Sequence, residues 1–164
     1  MRYFLDTEFI ENGPQFPLIL LSIGIVSETG AEFYAVNEDA PLELANDWVK
    51  VNVIPHLGDE YKVPIKQIGP RILHWVYDKE KPEFWGYYAD YDWVVFCQLF
   101  GTMMDLPKGW PMYCRDIKQL CDSLGNPKLP KQTSTEHNAL EDARWNKQAF
   151  EFLSPAPLAE KGSK

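Results

Sequence analysis

The sequence predicts an α/β domain built on a mixed central sheet, an antiparallel three-strand meander extended by parallel strands and flanked by helices. Three observations carry this. The first 36 residues hold three apolar runs of strand length separated by turn chemistry. Helical and strand-like segments then alternate to the end, the order that builds a helix-flanked sheet. Finally, 45% of the 164 residues are hydrophobic, which in a chain of this length supports one substantial core.

Residues 2–10 read as the first strand and Leu18 to Val26 as the second. Ser27-Glu28-Thr29-Gly30 turns the chain, and Glu32 to Val36 makes the third strand. Residues 42–53 fit a helix ended by Pro55, and 65–78 a second one whose start is unsettled by Gly69-Pro70. Glu83 to Tyr88 reads as a buried strand. Residues 91–104 carry a helical apolar face through Val94, Val95, Leu99 and Met103. Met112 to Cys114 is expected as a short strand, and Ile117 to Leu124 as a helix stopped by Gly125. A loop over 126–135 contains Pro127 and Pro130, and the last helix runs from Ala139 to Leu153. Residues 1–154 therefore read as a single domain, and 155–164 as a disordered tail.

Six Trp, eight Tyr and nine Phe argue against intrinsic disorder. The longest apolar run, Leu18 to Val26, is far below the roughly 20 residues of a membrane span. Met1-Arg2-Tyr3 enters a strand without the layout of a secretory signal. Cys97, Cys114 and Cys121 are odd in number and lack metal-type spacing, so reduced thiols in a cytoplasmic protein are expected and zinc is not. The net charge of −8 disfavours a protein that grips long nucleic acid through its phosphates. A short single-stranded end fits better, and simple solubility explains the acidity equally well.

Asp6-Thr7-Glu8-Phe9 follows the apolar run Tyr3-Phe4-Leu5. Alternate strand residues share a face, so both carboxylates point the same way. Two crowded carboxylates repel, and a hard cation such as Mg²⁺ or Mn²⁺ relieves that repulsion. A structural ion pair is the competing reading. Asp78-Lys79-Glu80 repeats the pattern in a polar setting and reads as solvated surface. In His137-Asn138-Ala139-Leu140-Glu141-Asp142-Ala143, Asn138 is a good N-cap and Glu141 completes a capping-box pattern. His137 then precedes the helix and is free to approach Asp142; an ordinary surface histidine beside an acidic first turn is the alternative. Asp92, after the strand ending at Tyr88, is placed either to ligate or to cap a helix. Asp90 competes with it, and Asp116 reads as a cap.

Taken together, Asp-x-Glu, then Asp92, then His-x-Ala-Leu-x-Asp-Ala resembles the DEDD superfamily of 3′–5′ exonucleases, in its histidine branch (DEDDh). The sister branch carries a tyrosine four residues before the last aspartate, and position 138 is Asn. Within the branch, Met1 to Glu11, Leu21 to Val26 and Tyr91-Asp92-Trp93 are similar to ribonuclease AS-type exoribonucleases. The resemblance implies a ribonuclease H-like fold and a homodimer acting on adenylate-containing RNA. It also implies two Mg²⁺ or Mn²⁺ ions held by Asp6, Glu8, Asp92 and Asp142. Glu8 would orient the attacking water and His137 would act as general base, releasing nucleoside 5′-monophosphates from single-stranded RNA 3′ ends or short oligonucleotides. The backbone around Thr7 and Phe9 is expected to hold the terminal sugar and base, with Phe9, Tyr88 and Trp93 as stacking platforms. One departure is Tyr88, where many superfamily members have Asn. Two other readings are a DNA-directed exonuclease of the proofreading or repair type, and a non-catalytic nucleic-acid-binding domain. Matched RNA and DNA substrates separate the first, and binding without mononucleotide release identifies the second.

Overall fold

A computed structural model describes residues 1–76 and 81–154. The expected tail at 155–164, the Asp78-Lys79-Glu80 string and the end of the helix expected over 65–78 lie outside the described residues. Strands β1 (Arg2–Ile10), β2 (Ile19–Ser27) and β3 (Glu32–Asn37) form the antiparallel meander. The turn between β2 and β3 uses Gly30 at φ +90°, and Ala31 N–H donates to the Ser27 hydroxyl at 2.9 Å. β4 (Lys62–Val63) adds in parallel to β3, β5 (Glu83–Gly86) in parallel to β1, and β6 (Arg115–Asp116) in parallel to β5. The strand order is β4-β3-β2-β1-β5-β6, so β1 is central. The mixed α/β sheet expected from the sequence is the one observed.

Alternation along β1 sorts its side chains between two layers. Tyr3 and Leu5 face α2 (Ile65–Trp75) and α3 (Asp90–Gln98), packing with Ile68, Ile72, Phe84 and Phe96. Phe4 faces the other way, toward α4 (Ile117–Ser123) and α5 (Ala139–Leu153), against Ile117, Ala149 and Phe150. Ile10 meets Val49 of α1 (Asp47–Asn52). Each such fully buried large side chain stabilises the fold by roughly 1.5–3 kcal/mol.

The sheet parts at one place. β5 pairs with β1 only over Arg2 to Phe4. Beyond that point the exposed ladder edge of β1 is taken by side chains from the two helical layers. The Leu5 carbonyl accepts from Asn146 Nδ2 of α5 at 2.9 Å, and Thr7 N–H donates to the Asp92 carboxylate of α3 at 2.8 Å. A crevice therefore opens where the antiparallel half meets the parallel half, the position at which open α/β sheets bind ligands. A register shift at Glu8/Phe9 bends β1 beside it.

Gly24 lies across from Asp6 and lets α5 lie directly on the sheet. A Cβ there would come within 2.2 Å of the Ala139 carbonyl oxygen and 2.4 Å of Leu140 Cα. Both are backbone, so relief requires moving the helix. Gly24→Ala is expected to cost about 1–3 kcal/mol, read as a lower denaturation midpoint with an unchanged m-value.

Several segments differ from expectation. The helix expected over 42–53 is divided into a 3₁₀ turn at Leu42–Leu44 and α1, because Ala45 is extended and Asn46 caps α1 by accepting from Val49 N–H at 2.9 Å. Pro55 sits inside a following 3₁₀ turn, Ile54–His56. Pro70 lies within α2, which begins at Ile65, and forgoes one intrahelical hydrogen bond; Gly69 beside it lies close to the Leu99 carbonyl. α3 starts at Asp90 and ends at Gln98, and it buries Trp93, Phe96 and Cys97 while Val94 and Met103 are exposed. The strand expected at Met112 to Cys114 is instead β6, fixed by parallel pairing of Arg115 and Asp116 with Trp85 and Gly86.

Candidate active site

Asp6 and Glu8 share the face of β1 that α5 covers. Asp142 lies in the first turn of α5, where Asn138 caps the helix by accepting from Leu140 N–H at 3.1 Å and Glu141 N–H at 3.2 Å. One carboxylate oxygen each from Asp6, Glu8 and Asp142 lie within 4.8 Å of one another. Asp92 approaches from the opposite layer through the crevice. Its Oδ1 accepts from Thr7 N–H at 2.8 Å and from the Thr7 hydroxyl at 2.6 Å.

The electrostatics follow from this crowding. Burial holds the Asp6 carboxyl well above the usual carboxylate range, and Asp92, Asp142 and Glu8 push it in the same direction. Glu8 is pushed up to about 8 by burial, then by Asp142 and Asp92. Asp92 rises to about 6 through burial, opposed by the two hydrogen bonds from Thr7. Burial also raises Asp142, against the hydrogen bond from Gln132 and the positive influence of His137. Four carboxyl groups are thus held where full ionisation is unfavourable unless positive charge joins them. Oxygen donors in this number fit a hard divalent cation, and no thiolate or imidazole cluster competes among the described residues.

His137 occupies the left-handed region at φ +64° just before α5. Its ring meets the Trp48 ring of α1 edge-on, with centroids 4.8 Å apart and planes at 80°. Asp6, Asp142, His137, Tyr87, Gln132 and Trp145 line a cleft of about 230 Å³. Gln132 Nε2 donates to Asp142 Oδ1 at 2.5 Å.

The other expected site residues are distributed unevenly. Thr7 is buried with its N–H and hydroxyl both committed to Asp92, so it orients a carboxylate and does not offer that amide to a terminal sugar. Trp93 is also corrected. It is buried, stacks on Phe96 at 5.0 Å and donates from Nε1 to the Met112 carbonyl at 3.2 Å, which makes it core and removes it as a platform. Phe9 is half-buried and stacks on the exposed Tyr91 at 5.8 Å. Tyr88 is 62% exposed at φ +54°, its ring against Tyr87. Asp90 is exposed. Asp116 caps α4 through Gln119 N–H at 2.8 Å and also accepts from Ala89 N–H at 2.9 Å, anchoring the turn that starts α3. Glu141 pairs with Arg144 instead of completing the capping box. Trp48, Tyr87 and Gln132 were not singled out by the sequence.

The result is a mixed sheet split at its centre, with carboxylates from β1, α3 and α5 set around the gap. The fold is similar to the nuclease domain of 3′hExo, a DEDDh family member bound to rAMP, with a TM-score of 0.59 at 12% identity over 91% of this chain and 88% of that one. It is similar also to cell-death related nuclease 4, with a TM-score of 0.54 at 11% identity over 93% and 62%.

The chain belongs to the Rv2179c-like 3′-5′ exoribonuclease domain family, whose model matches residues 1–154. It is 36% identical over 172 aligned positions to the 3′-5′ exoribonuclease Rv2179c of Mycobacterium tuberculosis strain H37Rv, covering 99% of each. The same figures hold for 3′-5′ exoribonuclease MT2234.1 of strain CDC 1551. No helix among the described residues is long and apolar enough to cross a membrane.

Proposed function

We propose that this chain is a cytoplasmic, homodimeric 3′–5′ exoribonuclease. It hydrolyses the terminal phosphodiester of single-stranded RNA, prefers adenylate and releases nucleoside 5′-monophosphates. The observation that carries the reading is the convergence of Asp6, Glu8 and Asp142 within 4.8 Å, with the charge of Asp92 acting on Asp6 from the α3 side. Family membership over residues 1–154 supports the activity.

Asp6, Glu8, Asp92 and Asp142 would hold two Mg²⁺ or Mn²⁺ ions. When bound, such ions supply Lewis acidity at the scissile phosphate and neutralise charge on the leaving 3′-oxygen. Asp6 would gain most from a bound cation, since the charges of the other three carboxylates all act on it. Thr7 fixes the carboxylate plane of Asp92, and Gln132 does the same for Asp142. Glu8 accepts a hydrogen bond from the attacking water and aims it at phosphorus. An imidazole nitrogen of His137 takes the proton that water loses, acting as general base. Tyr88 and Phe9 offer ring faces to the terminal bases.

Incubation with 3′-labelled homopolymer RNAs and matched DNAs, in Mg²⁺ and in Mn²⁺, tests the reading. The expected result is 5′-monophosphate release from RNA, fastest from polyadenylate. Equal or faster release from DNA would replace it with the DNA-directed reading, and binding without release would replace it with a non-catalytic one. His137→Ala is expected to lower turnover by about 10²–10⁴-fold with cation affinity intact. Unchanged turnover would remove His137 from the mechanism.

A further inference from the structure

We infer that Trp48 is a positioning residue for His137: the indole edge contact fixes the imidazole over the acidic cluster. The inference rests on the proposed role of His137 and adds to it.

On α5, the Asp142 carboxylate accepts from the His137 backbone N–H, which holds the main chain at this residue. The residue precedes the helix in the left-handed region, which a non-glycine side chain adopts only when its surroundings impose it. The segment around α1 supplies contacts to the ring and to the next residue. The Trp48 ring meets the imidazole edge-on at 4.8 Å, a favoured geometry for aromatic pairs. The His56 carbonyl, in the 3₁₀ turn after α1, accepts from Asn138 Nδ2 at 3.0 Å. The turn carrying His137 is therefore gripped at two successive residues by one short segment.

Trp48 is poorly explained as a core residue. α1 buries Val49 into the sheet, with Ala45 and Val53 on either side, while Trp48 is 54% exposed on another face. Leaving a large apolar ring half in water forgoes burial that the fold does not need from it. Among the described residues, its ring packs against that of His137. Losing the contact lets the imidazole sample other rotamers, and small misplacement of a reacting group costs up to about 10²-fold in rate.

The test uses the full chain with Mg²⁺ and a short adenylate oligonucleotide. Trp48→Leu should lower kcat by about 10- to 100-fold with KM changed less than about twofold, and Trp48→Phe, which keeps an aromatic edge, should recover most of the loss. The second readout is independent of activity. The chain has three histidines, His56, His74 and His137, so side-chain NMR resolves the His137 ring protons, assigned through His137→Gln. Those signals should move in Trp48→Leu as the indole ring current is lost, and His74 should stay in place. A raised KM at unchanged kcat would overturn the inference by making Trp48 a substrate platform, as would unmoved His137 signals. Full turnover in His137→Gln would instead overturn the reading of His137 itself, whatever the signals do. A Trp48→Phe variant as slow as Trp48→Leu, with both folded by circular dichroism, also counts against the inference.

Discussion

Asp6→Asn is expected to lower turnover by about 10³-fold and, in the cation-free protein at pH 8, to raise the melting temperature. The first effect reflects loss of this carboxylate, at the upper end of what removing one preorganised electrostatic group costs. The second follows from the same geometry. Asp6 is the most crowded acid in the chain, buried and facing the charges of Asp92, Asp142 and Glu8. Asparagine has nearly the same shape and no charge to desolvate. Its stabilisation should be about 0.5–2 kcal/mol, the size of other gains made by relieving a functional site. For a domain of this length that is a rise of a few degrees at about 2–4 °C per kcal/mol. Turnover on RNA and a thermal melt in chelator measure the two. A less stable Asp6→Asn protein would contradict the electrostatic account of the cluster.

The cation-free protein should lose stability as pH rises from about 4 to about 8, and Mg²⁺ or Mn²⁺ should reverse that slope. Glu8 moves from an ordinary 4.5 up to about 8, and Asp92 from 3.8 to about 6. Carboxyl groups with raised folded-state values keep protons that the unfolded chain releases. Their stabilising contribution is complete below the unfolded values and is lost as pH climbs through the folded ones. Glu32 acts in the opposite direction, held low by its hydrogen bonds to Arg144, but only at more acid pH. Divalent cations need the ionised carboxylates, so their effect on melting should grow from pH 5 to pH 8. At a free concentration 100 times the dissociation constant the gain is about 2.7 kcal/mol, or roughly 5–10 °C. Melts across pH with and without Mg²⁺ give both slopes. A cation-free melting temperature that rises between pH 5 and 8 would refute the prediction.

What the sequence revealed and what it concealed divide along local and distant contacts. Asp6 and Glu8 were legible because strand alternation is set by their immediate neighbours Tyr3 to Phe9. The α5 boundary was legible because Asn138 announces it. Asp92 was left between ligand and cap because its place depends on Asp116, whose carboxylate holds Ala89 N–H across 27 positions and anchors the start of α3 at Asp90, just before the segment 91–104. With α3 beginning at Asp90, Asp92 lies inside the helix and points to Thr7. Trp93 was misassigned for a related reason. Trp110 and Phe100 fold over α3 from later in the chain, and they bury a face that helical periodicity alone marks as no more apolar than its neighbours. Trp48 escaped notice because the break at Asn46 rotates α1 relative to one continuous helix over 42–53.

The bond from Asn146 to the Leu5 carbonyl joins residues 141 positions apart. Contacts this distant carry a large loop-closure cost before they reward the chain, which slows folding of the element they hold. On a translating ribosome, β1 therefore emerges with Asp6 and Glu8 well before α5 can meet it. The acidic cluster comes together only once α5 has docked, so a nascent chain that stops short of Asp142 holds part of it alone.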